Sequence, residues 1–191
     1  MNQIAQGADT FSPLRPREKS RAWQVGAVLV GTLILAVASR IEVPMIPVPM
    51  TMQTFAVTMI GALYGWRLGA VTVLVWLAQG ALGLPVFAPS GAVGIARFFG
   101  PTGGYLLAFP LVAMLTGWLA ERGWNGSRPL RAFASMLAGN ALCLALGGAW
   151  LAVMIGAGPA FAAGVAPFIL GGILKSALGA AALGGAQRFT R

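Results

Sequence analysis

A run of residues without any charged side chain, 22–39, sets the strongest constraint on the fold. At about 1.5 Å per residue, an α-helix of this run spans roughly 27 Å, which is close to the hydrocarbon thickness of a bilayer. Similar runs follow, and only 9% of the 191 residues are charged while 58% are hydrophobic. Ordinary soluble domains are about 25% charged. The chain is therefore expected to be an integral membrane protein with one domain.

The apolar runs and the breaks between them predict an all-α fold with six membrane-spanning helices. The expected spans are 22–39, a segment from just after Pro49 to about Tyr64, 68–84, about 101–119, 133–155 and 165–186. Of the 13 lysines and arginines, Arg40 and Arg97 fall on one side, Lys175 falls within a span, and the others fall on the opposite side. Because cytoplasmic segments carry the excess of basic residues, both termini are predicted to be cytoplasmic.

The expected organisation is a flexible, basic cytoplasmic tail over residues 1–21, followed by the six-helix membrane domain over 22–191. The tail is polar, contains two prolines and ends in a cluster of basic residues. A cleaved signal peptide is not expected, because the charged region is long and no cleavage pattern follows the apolar run. The predicted location is the inner (cytoplasmic) cell membrane, as a multi-pass protein in contact with the lipid bilayer.

Side chains suited to catalysis or metal binding are scarce. The sequence contains no histidine, and its four acidic residues are dispersed: Asp9, Glu18, Glu42 and Glu121. Neither an enzyme, nor a metal site, nor a bound cofactor is predicted. The net charge of +9 is spread in short clusters between apolar runs, which indicates membrane topology and not nucleic-acid binding. The single cysteine, Cys143, lies in an apolar run and is expected to be buried.

Residues 83–109 combine an apolar composition with several prolines and glycines that prevent one continuous helix. Irregular backbone at membrane depth is tolerated only where protein covers it or where it lines a cavity, so this stretch is predicted to wall a site. A helix can begin near Pro101, which would place free amides beside Thr102 and Gly103 to receive a polar or anionic group. Arg97 precedes that start; the alternative is a loop arginine that reaches the membrane interface.

The segment 43–57 begins with three closely spaced prolines, which remove backbone donors and impose an extended path. The helix is expected to begin only after Pro49, and the proline-rich part is expected to fold inward as a loop. Thr51, Gln53 and Thr54 fall at that helix start. An unpaired amide in an apolar setting costs roughly 2–7 kcal/mol, which makes Gln53 a candidate for binding a ligand. The alternative is that these side chains only cap the helix.

Lys175 lies within the last predicted span. A lysine at this depth costs roughly 2.5–3.5 kcal/mol by insertion scales, so it must face a cavity, find a partner or reach the interface. Since all four acidic residues are predicted in loops or in the tail, an anionic ligand is a candidate for its counter-charge. The alternative is a lysine that snorkels or that bonds to backbone carbonyls.

Small residues in the first span form small-xxx-small pairs, Ala27 with Gly31 and Thr32 with Ala36. Such pairs let another helix approach closely. Ala27, Gly31 and Ala36 are therefore candidates for contact with another membrane subunit. The alternative is packing within the same bundle.

Four segments resemble the signature segments of the BioY family, the biotin-binding S-components of energy-coupling factor (ECF) transporters. They are Val-Pro-Met-Thr-Met-Gln-Thr-Phe-Ala-Val at 48–57, Gly-Leu-Pro-Val-Phe at 83–87, Gly-Pro-Thr-Gly-Gly-Tyr-Leu at 100–106 and Pro-Phe-Ile-x-Gly-x-x-x-Lys at 167–175. The resemblance implies a six-helix S-component fold, with a biotin pocket near the outer face that is roofed by the loops after the first and third helices. It also implies that the first helix packs against a transmembrane coupling subunit.

Two positions depart from the pattern of the family. Its members usually carry an aspartate three positions before the last-helix lysine, where this chain has Gly172. The loop after the third helix often carries an asparagine, and this chain offers Ser90 in that neighbourhood. Both departures concern the binding of the ureido ring.

The chemistry of biotin matches several candidate residues. Its ureido group needs donors and acceptors, its thioether ring and valeryl chain need an apolar slot, and its carboxylate needs a cation or a helix start. The candidates for the ureido ring are Gln53, Thr54, Ser90 and Asn140. Phe87 and Tyr105, with Trp76, Phe98 and Phe99, are candidates for the apolar wall. Lys175, or Arg97 with the amides of Gly103 and Gly104, is the candidate for the carboxylate.

The predicted function is therefore that of a substrate-capture subunit of a biotin uptake transporter. The sequence has no Gly-x-x-x-x-Gly-Lys-Ser/Thr pattern, so ATP is expected to be used only by partner subunits, the ATP-binding cassette ATPases of an ECF module. The alternatives are an S-component for another small vitamin-like molecule, or a stand-alone carrier or channel, which would be expected to show internal repeats or ionisable pairs within its spans.

Overall fold

The computed structural model of the protein describes Leu14 and residues 19–188. Most of the predicted tail, 1–21, lies outside the described residues. This described part is helical, with two very short strands, one 3-10 helix and one π-helical turn. In chain order the elements are α1 (Arg21–Arg40), β1 (Glu42–Val43), β2 (Met50–Thr51), α2 (Gln53–Ala81), the 3-10 helix (Gly94–Phe99), α3 (Gly103–Glu121), α4 (Pro129–Ile155), α5 (Ala157–Ala160), the π turn (Phe161–Val165) and α6 (Ala166–Arg188).

The element α2 is two helices that meet at a sharp turn. Gly65 has φ 77° and ψ 172°, a conformation that favours glycine, and it divides the element into halves at 53–64 and 66–81. A Cβ at Gly69 would lie 3.0 Å from the Cα of Gly61, so the two halves fold back against each other. By length and hydropathy, five helices of the described chain could cross a membrane, counting α2 once. With α2 divided at Gly65, the prediction of six helices is confirmed.

The structure differs most from the predicted helix boundaries at two places. The fifth helical segment, α4, begins at Pro129 and not at 133, because proline is favoured in the first turn, where its missing N–H is not needed. Residues 156–164 were predicted as a connection between spans. Instead, Gly156 makes the whole turn with φ 89°, and the chain is helical again from Ala157.

The centre of the bundle is the contact between α2 and α3. Glycines bring the backbones together: a Cβ at Gly61 would lie 2.2 Å from Thr116 Oγ1 and 2.5 Å from the Ala113 carbonyl oxygen. Towards the end of α3, a Cβ at Gly117 would lie 2.5 Å from the Trp66 backbone nitrogen. Such close approach of helices through small residues is the usual packing mode in membranes.

The connections gather at the two ends of the bundle. At one end, Arg40 bonds to the Pro85 carbonyl, and Ser90 Oγ donates to Glu42 Oε2 at 2.9 Å. These contacts join the β1–β2 hairpin to the segment between α2 and α3. At the opposite end, the Trp66 amide donates to Glu121 Oε1 at 3.4 Å. These contacts place the first four connections alternately at the two ends of the bundle.

The segment between Ala81 and Gly103 contains no α-helix, as residues 83–109 were predicted to be interrupted. Gly83 and Gly91 have φ values of 90° and 113°, which let the chain reverse. The proline-rich part of 43–57 forms the loop of the β1–β2 hairpin. Val48 in this loop is 4% exposed whereas Ile46 is 94% exposed, so one side of the loop packs inward as predicted.

The helix α1 begins where Ser20 Oγ accepts from the Trp23 amide, and it packs on α2 through its small residues. Gly31 is buried, and a Cβ there would lie 2.5 Å from Thr72 Cγ2. Tyr64 Oη donates to the Ala27 carbonyl at 2.9 Å. For Gly31 the alternative of internal packing therefore holds, and this residue does not offer a surface to a partner. Ala27 and Ala36 are half-buried.

Candidate ligand-binding site

A cavity opens at the end of the bundle that carries the β1–β2 hairpin. It contains about 620 Å³ of space between atoms, including the open solvent at its mouth. The hairpin, the start of α2, the segment before α3 and the helices α3, α4 and α6 all contribute to its wall. Its lining residues are Val48, Pro49, Thr51, Gln53, Thr54, Ala88, Arg97, Thr102, Tyr105, Leu106, Phe109, Asn140, Cys143, Leu144, Phe168, Gly172 and Lys175.

Lys175 reaches from α6 across the cavity to the start of α2. Its Nζ donates to the Thr51 carbonyl at 2.6 Å and to Thr54 Oγ1 at 3.3 Å. An ammonium group has three donors, so one donor is not used by these two bonds. The structure combines two of the outcomes considered for this lysine: it faces a cavity, and it bonds to a backbone carbonyl. Its two bonded oxygens are neutral, so they leave its charge uncompensated.

Gln53 is part of a buried hydrogen-bond network between α1 and α2. Its Nε2 donates to Ser39 Oγ at 2.8 Å, and its Oε1 accepts from Thr51 Oγ1 at 3.0 Å. The backbone nitrogen of Gln53 also donates to Thr51 Oγ1 at 3.3 Å. The network fixes the side chain and satisfies most of its polar atoms, which lowers the cost of burying it. Gln53 thus holds the helix start in place and lines the cavity as well.

Asn140 of α4 is fixed by its amide nitrogen, which donates to the Met136 carbonyl at 3.0 Å and to Ser176 Oγ at 3.1 Å. Ser176 in turn donates to the Gly172 carbonyl at 2.7 Å. The hydrogen bonds found for Asn140 within the described part of the chain all use its nitrogen, and its Oδ1 lies 3.8 Å from the Cβ position of Gly172, another lining residue. Asn140 and Lys175 therefore present an acceptor and a donor to the same region.

Gly172 leaves open space beside Asn140. The three atoms nearest to a Cβ at Gly172 all belong to Asn140, at 3.6–3.8 Å, which is ordinary van der Waals contact. Gly172 lies one helical turn before Lys175, on the same face of α6. This position of α6 can therefore accept a Cβ without displacing its neighbours.

Arg97 lies at the mouth of the cavity and is 5% exposed. Its Nη1 donates to the carbonyls of Ala88 and Ala92 at 2.8 and 3.3 Å, and its Nη2 donates to the Ser90 carbonyl at 2.6 Å. Burial lowers the pKa of Arg97, and the negative charge of Glu42 opposes this shift. Arg97 is therefore not a loop arginine at the interface. It holds the irregular segment together around three backbone oxygens.

The apolar wall was largely missed by sequence reasoning. Phe168, Phe109, Leu144 and Val48 line the cavity, and so does Cys143, which had been expected only to be buried. A signal for two of them was available. Phe168 precedes Lys175 by seven positions and shares its helix face, and Leu144 follows Asn140 by four.

The wall candidates Trp76, Phe98 and Phe99 do not line this cavity, and neither do four of the other predicted ligand-binding residues. Phe87 packs against Trp76 with ring centroids 5.0 Å apart and lies 5.8 Å beneath the Arg97 guanidinium. The hydroxyl of Ser90 is bonded to Glu42, and Ser90 lines a neighbouring pocket that shares Arg97 and Thr102 with the cavity.

The remaining two, Gly103 and Gly104, serve close packing. The Gly103 amide donates to the Gly100 carbonyl at 3.0 Å, so it is not the free amide that was predicted. A Cβ at Gly104 would lie 2.2 Å from Trp150 Cβ, which shows how tightly α4 packs there. The helix α3 nevertheless begins close to the expected position, with Thr102 before its first residue and at the edge of the cavity.

The arrangement is suited to binding a small molecule. No group of three or more His, Cys, Asp or Glu residues that could hold a metal ion occurs in the described part of the chain. The cavity is apolar along α3, α4 and α6, with a mixed donor and acceptor cluster at Lys175 and Asn140 and with donors at Arg97. Such a combination of an apolar slot and a few fixed polar groups is typical of ligand pockets.

Comparisons with known proteins agree in family and fold. The family model described as the BioY family matches residues 14–191. A "Probable biotin transporter BioY" of Pyrococcus horikoshii is 37% identical over 82% of this chain and 91% of its own length. "Biotin transporter BioY2" of Lactococcus lactis is 32% identical over 84% of this chain and 88% of its own length. A crystal structure of the S-component for biotin from an ECF-type ABC transporter superposes with a TM-score of 0.73 at 23% identity, covering 89% of this chain and 95% of that one.

Proposed function

The chain belongs to the BioY family, and from this premise we propose that it is the membrane subunit that captures biotin for an uptake transporter. The observation that carries the proposal is the cavity in which Lys175, Asn140 and Thr54 meet at the end of an apolar slot. This set offers donors and an acceptor within one region, as a cyclic urea requires. The transported molecule is the ligand, and the subunit itself needs no cofactor.

The polar groups at the two ends of the cavity favour one orientation of biotin. The Lys175 end combines an ammonium and a hydroxyl with the amide oxygen of Asn140, which suits the carbonyl and N–H groups of the ureido ring. The Arg97 end offers donors and the positive end of α3 near Thr102, which suits a carboxylate. We therefore assign the ureido ring to Lys175, Asn140, Gln53, Thr51 and Thr54, and the carboxylate to the mouth.

Orientation in the membrane follows from the charges. The end of the bundle with the cavity carries few basic residues, whereas Arg67, Arg122, Arg128 and Arg131 lie at the opposite end. By the positive-inside rule the cavity faces outward and both termini, with the basic tail 1–21, are cytoplasmic. Biotin would thus enter from the outer side of the cell membrane. An ECF energising module, with a transmembrane coupling subunit and ATP-binding cassette ATPases, would supply the energy for its release inside.

The purified chain should bind biotin in preference to other water-soluble vitamins. Trp76 is buried against Phe109, which lines the cavity, with ring centroids 6.1 Å apart, so ligand binding is expected to change tryptophan fluorescence. Titration with biotin, riboflavin and thiamine in detergent measures the preference. A saturable signal with riboflavin or thiamine, and none with biotin, would refute the biotin assignment and leave the alternative of an S-component for another vitamin.

The surface for the coupling subunit is assigned to the exposed face of α1, next to Ala27 and Ala36. Gly26 lies on this face with no atom within 4 Å of its Cβ position, so Gly26→Trp is accommodated by the chain itself. We expect Gly26→Trp to bind biotin normally and to abolish pull-down of the coupling subunit. The matched control is Leu178→Trp, which places the same ring at a position of α6 that is 53% exposed. If Gly26→Trp still assembles like the control, the coupling surface lies on another helix.

A further inference from the structure

The chain does not enter α6 as a regular α-helix. After the single turn of α5 it forms the π turn, Phe161–Val165, and only then continues as α6. A π-helical turn closes i→i+5 bonds, so it holds one extra residue and rotates the following helix face by about one residue, roughly 100°. The π turn therefore decides which residues of α6 face the cavity.

Tyr105 of α3 contacts this region at two points that are one helical turn apart. Its hydroxyl donates to the Gly164 carbonyl at 2.7 Å, within the π turn. Its ring stacks on Phe168, with centroids 6.4 Å apart and planes 28° from parallel. One contact fixes the turn, and the other fixes the first cavity-lining residue of α6.

Glycines on the neighbouring helices make these contacts possible. A Cβ at Gly147 of α4 would lie 2.1 Å from Tyr105 Cδ1, so the tyrosine ring rests directly on that helix. A Cβ at Gly164 would lie 2.7 Å from the Tyr105 hydroxyl oxygen. The side chain is only 7% exposed. Tyr105 thus joins α3, α4 and the beginning of α6 at one buried point.

The face of α6 set in this way carries Phe168, Gly172 and Lys175, which all line the cavity. We propose that Tyr105 is a positioning residue of the ligand site: its bond to Gly164 holds the π turn, and the π turn directs Lys175 and Gly172 into the cavity. This inference rests on the proposed function, because its readout is the affinity for biotin.

The test removes only the hydroxyl. Tyr105→Phe keeps the ring on Gly147 and Phe168, and we expect it to weaken biotin binding by about 3-fold to 20-fold. The matched control is Tyr64→Phe, which removes an equally buried tyrosine bond to a backbone carbonyl, from Tyr64 Oη to Ala27 at 2.9 Å, away from the cavity. Tyr64→Phe should lower the melting temperature in detergent about as much as Tyr105→Phe does, and it should leave the biotin affinity unchanged.

A double-mutant cycle separates positioning from direct contact. If the hydroxyl acts by directing Lys175, Tyr105→Phe should change the affinity by less than about twofold in a Lys175→Met background. Two outcomes overturn this inference alone. In the first, Tyr105→Phe weakens binding equally in both backgrounds. In the second, Lys175→Met weakens binding but Tyr105→Phe leaves the affinity unchanged. A wild-type chain that does not bind biotin overturns the proposed function and this inference with it.

Discussion

Lys175→Met is expected to weaken biotin binding by roughly tenfold to 150-fold while the chain stays folded. Methionine keeps the length of the side chain and removes its charge and its donors. The loss corresponds to about 1.5–3 kcal/mol, the range for a hydrogen bond that involves a charged group. Equilibrium titration of the purified variant measures the change, and its melting temperature in detergent shows whether the fold is retained.

The large effect follows from the position of the lysine. A lysine within a span costs roughly 2.5–3.5 kcal/mol, and two bonds to neutral oxygens of Thr51 and Thr54 do not compensate its charge. A ligand group that accepts its remaining donor would offset part of that cost. Thr58→Val serves as a control, since it removes a hydroxyl of α2 that bonds only within its own helix, to the Phe55 carbonyl. A folded Lys175→Met variant with wild-type affinity would mean that Lys175 only ties α6 to α2.

The number of helices was predictable because membrane burial imposes a simple rule on sequence. Uncharged runs of sufficient length must be helical, and prolines and glycines mark where they stop. The end of the second helix near Tyr64 was predicted in this way, and the structure places the turn at Gly65. The helical path of 156–164 was not predictable, because a stretch of small uncharged residues is compatible with a loop, an α-helix or a π turn.

The polar part of the site was accessible from sequence for a related reason. Lys175, Asn140 and Gln53 stand out because each is costly in an apolar run unless it has a partner. Ser90 and Phe87, two predicted loop residues that do not line the cavity, show the limit of this reasoning. Their directions depend on how the segment wraps around Arg97, and local sequence does not encode which carbonyls converge on one guanidinium.

The apolar wall could not be recognised by residue type, because Phe168 and Leu144 resemble every other apolar residue of the spans. They become identifiable only through a polar neighbour on the same helix face. The face of α6 is set by the π turn, so counting back from Lys175 is reliable only within α6 itself. The sequence therefore identifies the polar residues of the candidate site, and tertiary packing decides which apolar residues surround them.

Gly172→Asp is expected to strengthen biotin binding by roughly tenfold. The substitution places at this position the residue of the family pattern, and its Cβ would meet Asn140 at ordinary van der Waals distance. With the ureido ring at this end of the cavity, the carboxylate would accept a ureido N–H while Lys175, one turn later, compensates its charge. Titration of wild type and variant with biotin measures the change.

Two further substitutions at the same position separate charge from shape. Gly172→Ala tests the space alone and should bind biotin like the wild type, because its Cβ makes only ordinary contact with Asn140. Gly172→Asn has the shape of aspartate without its charge and should gain less. The opposite result is equally informative: if aspartate weakens binding while asparagine and alanine do not, the new carboxylate competes for Lys175. In that case Lys175 holds the carboxylate of biotin, and the ureido ring lies at the Arg97 end.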